Sequence, residues 1–368
     1  MKKGWPTKRL GDLFVFKNGR AFKKEEWTKK GLPIIRIQNL NNEDAPFNYF
    51  AGEYSQDILV EPGDLLFSWS GTVGSSFGSH LWNGEPGVLN QHIFKIGLLE
   101  TITKRYAFHG LRYITAEIEQ SVNGAVGLVH ITKEKLNEFT LPVPPLAEQQ
   151  RIVGLLDEAF GGLATAKANA EKNLQNARAL FESHLQSVFT QRGPGWVEKT
   201  FEDCIEDVKY TTKIQRKDFL EEGEFPIVSQ EAEFTNGYWD NAADVFKVTR
   251  PVVIFGDHTQ VLKYIDFDFV LGADGVKLLP PKPFLNAKFF LYALRSAPLK
   301  SLGYARHYRL LKELQIGYPD TTAQVAIAKK LDTLEAETQR LAHLYQQKLA
   351  ALEALKKSLL HQAFTGKL

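Results

Sequence analysis

The spacing of apolar residues changes regime three times along the chain. From residue 1 to about 145 they fall in short runs broken by turn residues, and from 146 to about 190 they recur at steps of three and four. The same succession then starts again. In the first stretch Pro33-Ile34-Ile35-Arg36-Ile37 and Asp64-Leu65-Leu66-Phe67-Ser68-Trp69 have the branched and aromatic content of strands, and Glu61-Pro62-Gly63-Asp64 reads as a turn. Tyr106, Leu111, Ile114 and Ile118 predict a helix over 103–120. The second stretch of short runs echoes this order with drifting spacing: Phe225-Pro226-Ile227-Val228, then Arg250 to Gly256, then a predicted helix over 286–295.

Between and after these heads lie two long helical patterns. Ile152, Leu156, Ala159, Leu163, Ala166 and Ala170 continue to Leu185 and Val188 at helical spacing, behind Pro142, Pro144 and Pro145, which can precede a helix but not sit inside one. Ile327, Leu331, Leu334, Leu341 and Tyr345 begin the second copy, with Asp320, Thr321 or Thr322 as its cap. Gly193 and Gly366 follow the two ends.

Residues 136–190 and 311–365 match without a gap at an offset of 175. Pro144 answers to Pro319, Gln149 to Gln324, Leu156-Asp157 to Leu331-Asp332, and Phe189-Thr190 to Phe364-Thr365. A long internal repeat fixes architecture. It predicts an α+β chain in four parts: a mixed α and β head over 1–145, a helix over 146–192, a second head over 193–319 and a second helix over 320–368. Roughly forty residues at ~1.5 Å each make an amphipathic rod of about 60 Å, which needs a partner. Each rod is the obvious partner of the other, as an antiparallel coiled coil with the heads at opposite ends. The alternative is that each helix packs on its own head.

Composition adds little beyond globularity: 368 residues, 43% hydrophobic and 24% charged, are ample for two cores. A single cysteine, Cys204, cannot form an internal disulfide. No run approaches the ~20 apolar residues of a membrane span, and the amino terminus lacks a signal-peptide core, so the expected compartment is the cytoplasm. The net charge of +2 conceals an uneven distribution. Residues 1–42 carry eleven Lys or Arg against three acids, a net +8, interleaved with Trp5, Phe14, Phe16, Phe22 and Trp27. Such a mixture suits a phosphate backbone, or simply a solvated surface. Residues 196–320 are about three charges negative, so nucleic acid would have to meet a local patch there.

No Gly-rich phosphate loop ending in Gly-Lys-Ser/Thr, no Gly-x-Ser-x-Gly elbow and no His-Glu-x-x-His helix occurs. The histidines are scattered without ligand spacing, which predicts no metal site. Gly256-Asp257-His258-Thr259 and Gln91-His92 follow strand-like segments, where a head would display polar loops.

Taken together these residues resemble the specificity subunits of type I DNA restriction-modification systems. The most specific pieces are Leu141-Pro142-Val143-Pro144-Pro145-Leu146-Ala147-Glu148-Gln149-Gln150-Arg151-Ile152, Gly63 to Ser68, and the closing segment Leu359 to Leu368. The second copy departs from the first signature, with only Pro319 and Gln324 surviving within Tyr318 to Gln324. The resemblance implies that each head is a target recognition domain for one half of a split double-stranded DNA target. The helices would set the unread spacer and dock two methyltransferase subunits. It also implies no catalysis and no cofactor in this chain, S-adenosylmethionine on the methyltransferase partners, and restriction/translocase subunits in the full complex.

On that reading Lys17, Arg20 and Lys23 are expected on phosphates, with Arg36, Gln38, Asn39, Ser68 and Gln91 nearer bases, since Arg bridges guanine and Asn or Gln adenine. In the second head the expected contacts are Ser229, Gln230, His258, Thr259, Gln260, Arg306, His307 and Arg309. Two rivals remain open: the specificity module of another restriction arrangement, and a structural coiled-coil oligomer with ligand-binding heads.

Overall fold

Four helices carry the repeat: α1 (Lys104–Ser121), α2 (Leu146–Thr190), α3 (Ala287–Ser296) and α4 (Thr321–Phe364). The computed structural model describes residues 5–42, 44–72, 76–99, 101–121, 128–303 and 305–368; Lys2 and Lys3 of the basic segment lie outside them. Each helix begins within a residue of its expected start, and local chemistry fixes where. The Asn286 side chain accepts from Phe289 N–H at 2.9 Å, and Asp320 Oδ1 accepts from Ala323 N–H at 3.0 Å, so each caps the helix that follows it. At the ends, Gly366 takes the left-handed conformation (φ 72°) just past α4, whereas Gly193 after α2 does not, and Gly195 (φ 86°) takes it in the turn before Val197–Thr200.

Two units divide the chain: residues 1–170 with 347–368, and residues 171–346. Each therefore takes one head and a part of both long helices.

In the first unit the chain enters and leaves the head through one antiparallel pair, Thr7–Arg9 against Thr140–Pro142. A four-stranded antiparallel sheet runs in the order Phe14–Asn18, Ile93–Leu98, Leu65–Ser68, Gly78–Leu81. A second, mixed sheet joins Asn48–Phe50, Leu32–Ile35, Gly87–Leu89 and Leu59–Val60. The expected strand over 33–37 stops at Ile35, because Arg36 is the first residue outside a short helix, Ile37–Asn41.

Apolar residues of the first sheet, Phe14, Phe67 and Phe94, share a core with Tyr106, Leu111 and Ile114 of α1, Ile152 and Leu156 of α2, and Leu360 and Phe364 of α4. The start of α2 and the end of α4 thus both pack on the first head. They run antiparallel: Arg151 donates to Leu368 O at 3.0 Å, and Lys167 pairs with Glu353 at 2.9 Å.

The second unit repeats the plan. Val197–Thr200 pairs with Gln315–Tyr318 to close the head. A three-stranded sheet (Leu262–Ile265, Val252–Gly256, Val276–Leu279) packs on α3. Beside it a mixed sheet is built on Phe269–Gly272, with Phe225–Val228 parallel to it. Phe181, Leu185 and Phe189 of α2 and Ala328 and Leu331 of α4 enter the core of this head. Arg295 of α3 bonds Glu335 of α4 at 2.7 Å and lies 3.5 Å from Glu182 of α2, which continues the antiparallel register. The helices therefore pack both on heads and on each other. Among the described residues no helix is long and apolar enough to cross a membrane.

Candidate nucleic-acid interface

In the first head three chain segments are drawn side by side by backbone bonds. Gly19 N–H donates to Ile93 O at 3.1 Å, Arg20 N–H to Leu89 O at 2.8 Å, and Asn90 N–H to Ile35 O at 3.0 Å. A Cβ on Gly19 would lie 2.0 Å from Asn90 O, so only glycine lets these strands approach. Trp69 N–H reaches His92 O at 3.2 Å and adds the segment after Leu65–Ser68. Lys17, Arg20, Arg36 and Gln91 therefore come from neighbouring segments, with Lys23 shortly after Arg20 and Gln38 in the short helix that follows Arg36.

Their states differ. Lys17 is exposed and paired with the exposed Asp57 at 2.5 Å. Arg20 pairs with Glu26 and lies 4.9 Å from the ring centres of both Phe22 and Phe50, a stacked and oriented cation. The Lys23 backbone N–H, followed by the Arg20 charge, holds the Glu26 carboxyl below its usual range against desolvation. Lys23, Lys29 and Lys30 are exposed and form no ion pair among the described residues. Arg36 is half-buried, 5.7 Å from the Trp27 ring centre, and has no carboxylate partner among the described residues. Gln38 is exposed but donates to Pro46 O at 3.2 Å. Gln91 is exposed and bonds His92 at 3.1 Å.

The second head gathers its loops around Asp257, which is buried. The Asp257 backbone N–H donates to Gly275 O at 2.7 Å, its carbonyl accepts from His307 N–H at 2.7 Å, and its carboxylate accepts from Tyr308 N–H at 2.8 Å. Loops 256–260, 273–275 and 305–308 are thereby fastened together. Gln230 joins them: its Oε1 accepts from His258 N–H at 3.1 Å and its carbonyl from Thr259 Oγ1 at 2.6 Å. A Cβ on Gly275 (φ 78°) would meet Gln230 Oε1 at 2.4 Å, so glycine is required twice over. Thr259, Arg306 and Arg309 are exposed, while His258 and Gln260 (φ 60°) are half-buried.

Four residues expected near bases are turned inward. Asn39 is 4% exposed, with its amide donating to Ala45 O at 3.1 Å and its carbonyl accepting from Arg36 N–H at 3.1 Å. Ser68 is fully buried and donates to Ser70 O. Ser229 is buried and accepts from Glu231 N–H. His307, also buried, has Nδ1 3.0 Å from Asp257 O and Nε2 accepting from Leu302 N–H. Their polar groups are consumed in holding loops, which corrects the expectation that they reach bases.

Sequence reasoning also missed residues. Lys263, buried, donates to the carbonyls of Ser229, Glu233 and Phe234 at 2.9, 2.5 and 3.4 Å, and burial pulls its pKa down to about 8. Asp257 sat inside a motif singled out for its neighbours. Lys277 lies 3.9 Å from Asp257 and 5.2 Å from the Tyr308 ring centre. Burial, then the charge of Lys277, lowers the pKa of Lys213 nearby. Lys277 and Lys213 thus lie near Asp257 and Tyr308, the latter in the segment that carries the exposed Arg306 and Arg309. Among the described residues no group of three or more His, Cys, Asp or Glu comes within metal-binding reach.

Each unit thus sets a mixed α and β head on segments of both long helices. Residues 2–173 match a family model described as the type I restriction modification DNA specificity domain. The chain is 31% identical over 191 residues to the specificity subunit of the type I restriction enzyme EcoBI of Escherichia coli; this covers 51% of the chain and 39% of that relative. It is 20% identical over 407 aligned positions to the MjaVIII specificity subunit of Methanocaldococcus jannaschii, covering 99% and 93%. Among solved structures, a chain of a type I R-M system superposes with a TM-score of 0.80 at 19% identity over 100% of this chain and 99% of that one. The HsdS subunit from Thermoanaerobacter tengcongensis gives 0.60 at 18% identity over 100% and 98%. Residues 2–173 thus match the type I restriction modification DNA specificity domain, and the chain as a whole is similar to the specificity subunits of type I restriction enzymes.

Proposed function

We propose that this chain reads a bipartite double-stranded DNA target, one half with each head, and contributes recognition without catalysis. The observation that carries this reading is that both heads present a fastened set of loops bearing cations and amides: Arg20, Arg36 and Gln91 in one, Gln230, Thr259, Arg306 and Arg309 in the other. Exposed lysines give salt-sensitive grip on phosphates, and half-buried groups held in place give selectivity for base edges.

The helices set the unread spacer and dock two methyltransferase subunits, one per half. Leu180 and Leu355, equivalent at the offset of 175, are 50% and 47% exposed. Leucines so exposed on paired helices favour equivalent docking spots. S-adenosylmethionine belongs to those partners, and restriction/translocase subunits join when DNA is cut.

Co-expression with a methyltransferase subunit of the same system, followed by mapping of methylated adenines, tests the reading: a two-part motif is expected, and scattered or absent methylation refutes it. In the same assay Arg36→Ala is expected to relax one half-site by about 1–3 kcal/mol of discrimination and leave the other intact. A uniform loss over all sequences would reassign Arg36 to phosphate.

A further inference from the structure

The repeat supplies an internal comparison that isolates one unusual site. Helices α1 and α3 correspond at an offset of 183, so Arg112 is the counterpart of Arg295. Arg295 is neutralised twice, by Glu335 at 2.7 Å and Glu182 at 3.5 Å, and stacks on Phe181 with its guanidinium 4.8 Å from the ring centre. At the offset of 175 the counterparts of Glu335, Glu182 and Phe181 are Phe160, Lys357 and Lys356. Both carboxylates are gone, and two cations have come in.

Arg112 is nevertheless half-buried, its guanidinium 5.0 Å from the Phe108 ring centre, and it has no hydrogen bond or ion pair among the described residues. Lys356 is likewise half-buried, forms no ion pair within 4 Å among the described residues and lies 6.0 Å from the centre of the Phe160 ring. Burial lowers the pKa of both. The nearby acid, Glu353, is held by Lys167 at 2.9 Å, and Arg105 is held by Asp157 at 2.6 Å. Arg112 and Lys356 thus share the charge of one carboxylate, Glu353, which Lys167 already holds, and an excess of positive charge at a half-buried site is costly unless an anion joins it.

They open onto a cavity of about 1140 Å³, all within the first unit. Its wall carries Arg112, Lys356 and Lys357 with the acids Glu85 and Glu353, and Trp82, Phe47 and Tyr49 supply aromatic surface. His80, also on the wall, has its pKa driven down to about 4 by burial and then by the Arg112 charge, so at neutral pH it adds no further positive charge. An excess of cations and several aromatic rings lining one cavity suit a ligand with both a polyanionic group and a flat ring.

We propose that this cavity is a nucleotide site, with the phosphates on Arg112 and Lys356 and the base against the aromatic wall. It has no twin in the second half, where the equivalent arginine is satisfied from within.

Calorimetric titration of the full chain with ATP, tripolyphosphate and adenosine tests it without DNA, so the result stands apart from the reading of function. ATP is expected to bind more tightly than either fragment. Arg112→Gln and Lys356→Gln are each expected to weaken ATP by about tenfold or more, as loss of a charge-assisted phosphate contact would. Phe160→Glu, which restores the carboxylate of the second half, is expected to raise the thermal midpoint and abolish ATP binding together. Tripolyphosphate binding as tightly as ATP would overturn the nucleotide assignment. So would ATP binding indifferent to all three variants, no ATP binding at all, or Arg112→Gln weakening a DNA duplex but not ATP.

Discussion

Gln149 and Gln324 are fully buried, and each performs the same task. Gln149 Nε2 donates to Thr101 O and Pro144 O, both at 2.9 Å, while its Oε1 accepts from Thr103 N–H at 2.9 Å. Gln324 Nε2 donates to Phe284 O at 3.0 Å and Pro319 O at 2.8 Å, and its Oε1 accepts from Asn286 N–H at 2.7 Å. Each side chain thus ties the start of a long helix to the start of the helix in its head. This explains why Pro and Gln survive where the second copy otherwise departs from the first: they are the residues with this internal duty. Gln149→Ala or Gln324→Ala leaves buried backbone groups unpaired and is expected to cost about 2–4 kcal/mol in denaturant unfolding. Gln→Glu at either site keeps the acceptor but faces carbonyls with a carboxylate, so it is not expected to rescue. His80 yields a pH prediction. Its folded pKa of about 4 lies below the unfolded 6.5, so its contribution is present above pH 6.5 and declines as pH falls toward 4, where the unfolded chain takes up the proton first. Urea titrations at pH 7 and pH 5 are expected to show a steeper loss for the wild type than for His80→Asn; equal losses would refute the assignment.

At the scale of elements, two offsets describe the repeat: 175 for the long helices and 183 for the helices of the heads. The contacts follow both. His109 lies 2.8 Å from Asp157 and Tyr292 OH donates to Asp332 at 2.5 Å, the same junction with a different donor. Phe364 lies 5.0 Å from Tyr106, and its counterpart Phe189 lies 5.2 Å from Phe289, the counterpart of Tyr106. Each head is therefore gripped by the start of one long helix and the end of the other. Helical period and capping residues made the helices legible in the sequence nearly to the residue, because those signals are local. The inward turn of Asn39, Ser68, Ser229 and His307 was not legible: a polar residue after a strand looks the same whether tertiary bonds will consume it or not. The helix pair also carries a prediction. Four residues inserted into α2 after Ala170 and into α4 before Gln347 add about one turn, or ~6 Å, and keep the apolar stripe in phase. At 3.4 Å per base pair the spacer in the methylated motif is expected to lengthen by about one to two base pairs with both half-sites unchanged. An unaltered spacer would sink the ruler.

For the whole molecule, symmetry of scaffold and asymmetry of charge are separate facts with separate causes. The scaffold repeats because Gln149 and Gln324, Asp157 and Asp332, and Phe189 and Phe364 solve one packing problem twice. The surfaces are under no such constraint, and they diverge: +8 over residues 1–42, against about three negative charges over 196–320. If both heads hold one duplex, the phosphate grip is unevenly shared. Lys23, Lys29 and Lys30 are exposed and unpaired among the described residues, whereas Lys17 is occupied by Asp57, so the first three are the stronger candidates for counterion release. Each lysine lost from phosphate lowers the slope of log K against log salt by about 0.9. Lys23→Gln, Lys29→Gln and Lys30→Gln combined are therefore expected to reduce the slope for the methylating complex by roughly 2–3. Discrimination at both half-sites should persist, because phosphate contacts carry no base identity. A slope that does not move would take this basic segment off the DNA; a slope that falls together with the reading of one half-site would make these lysines readers as well as grips.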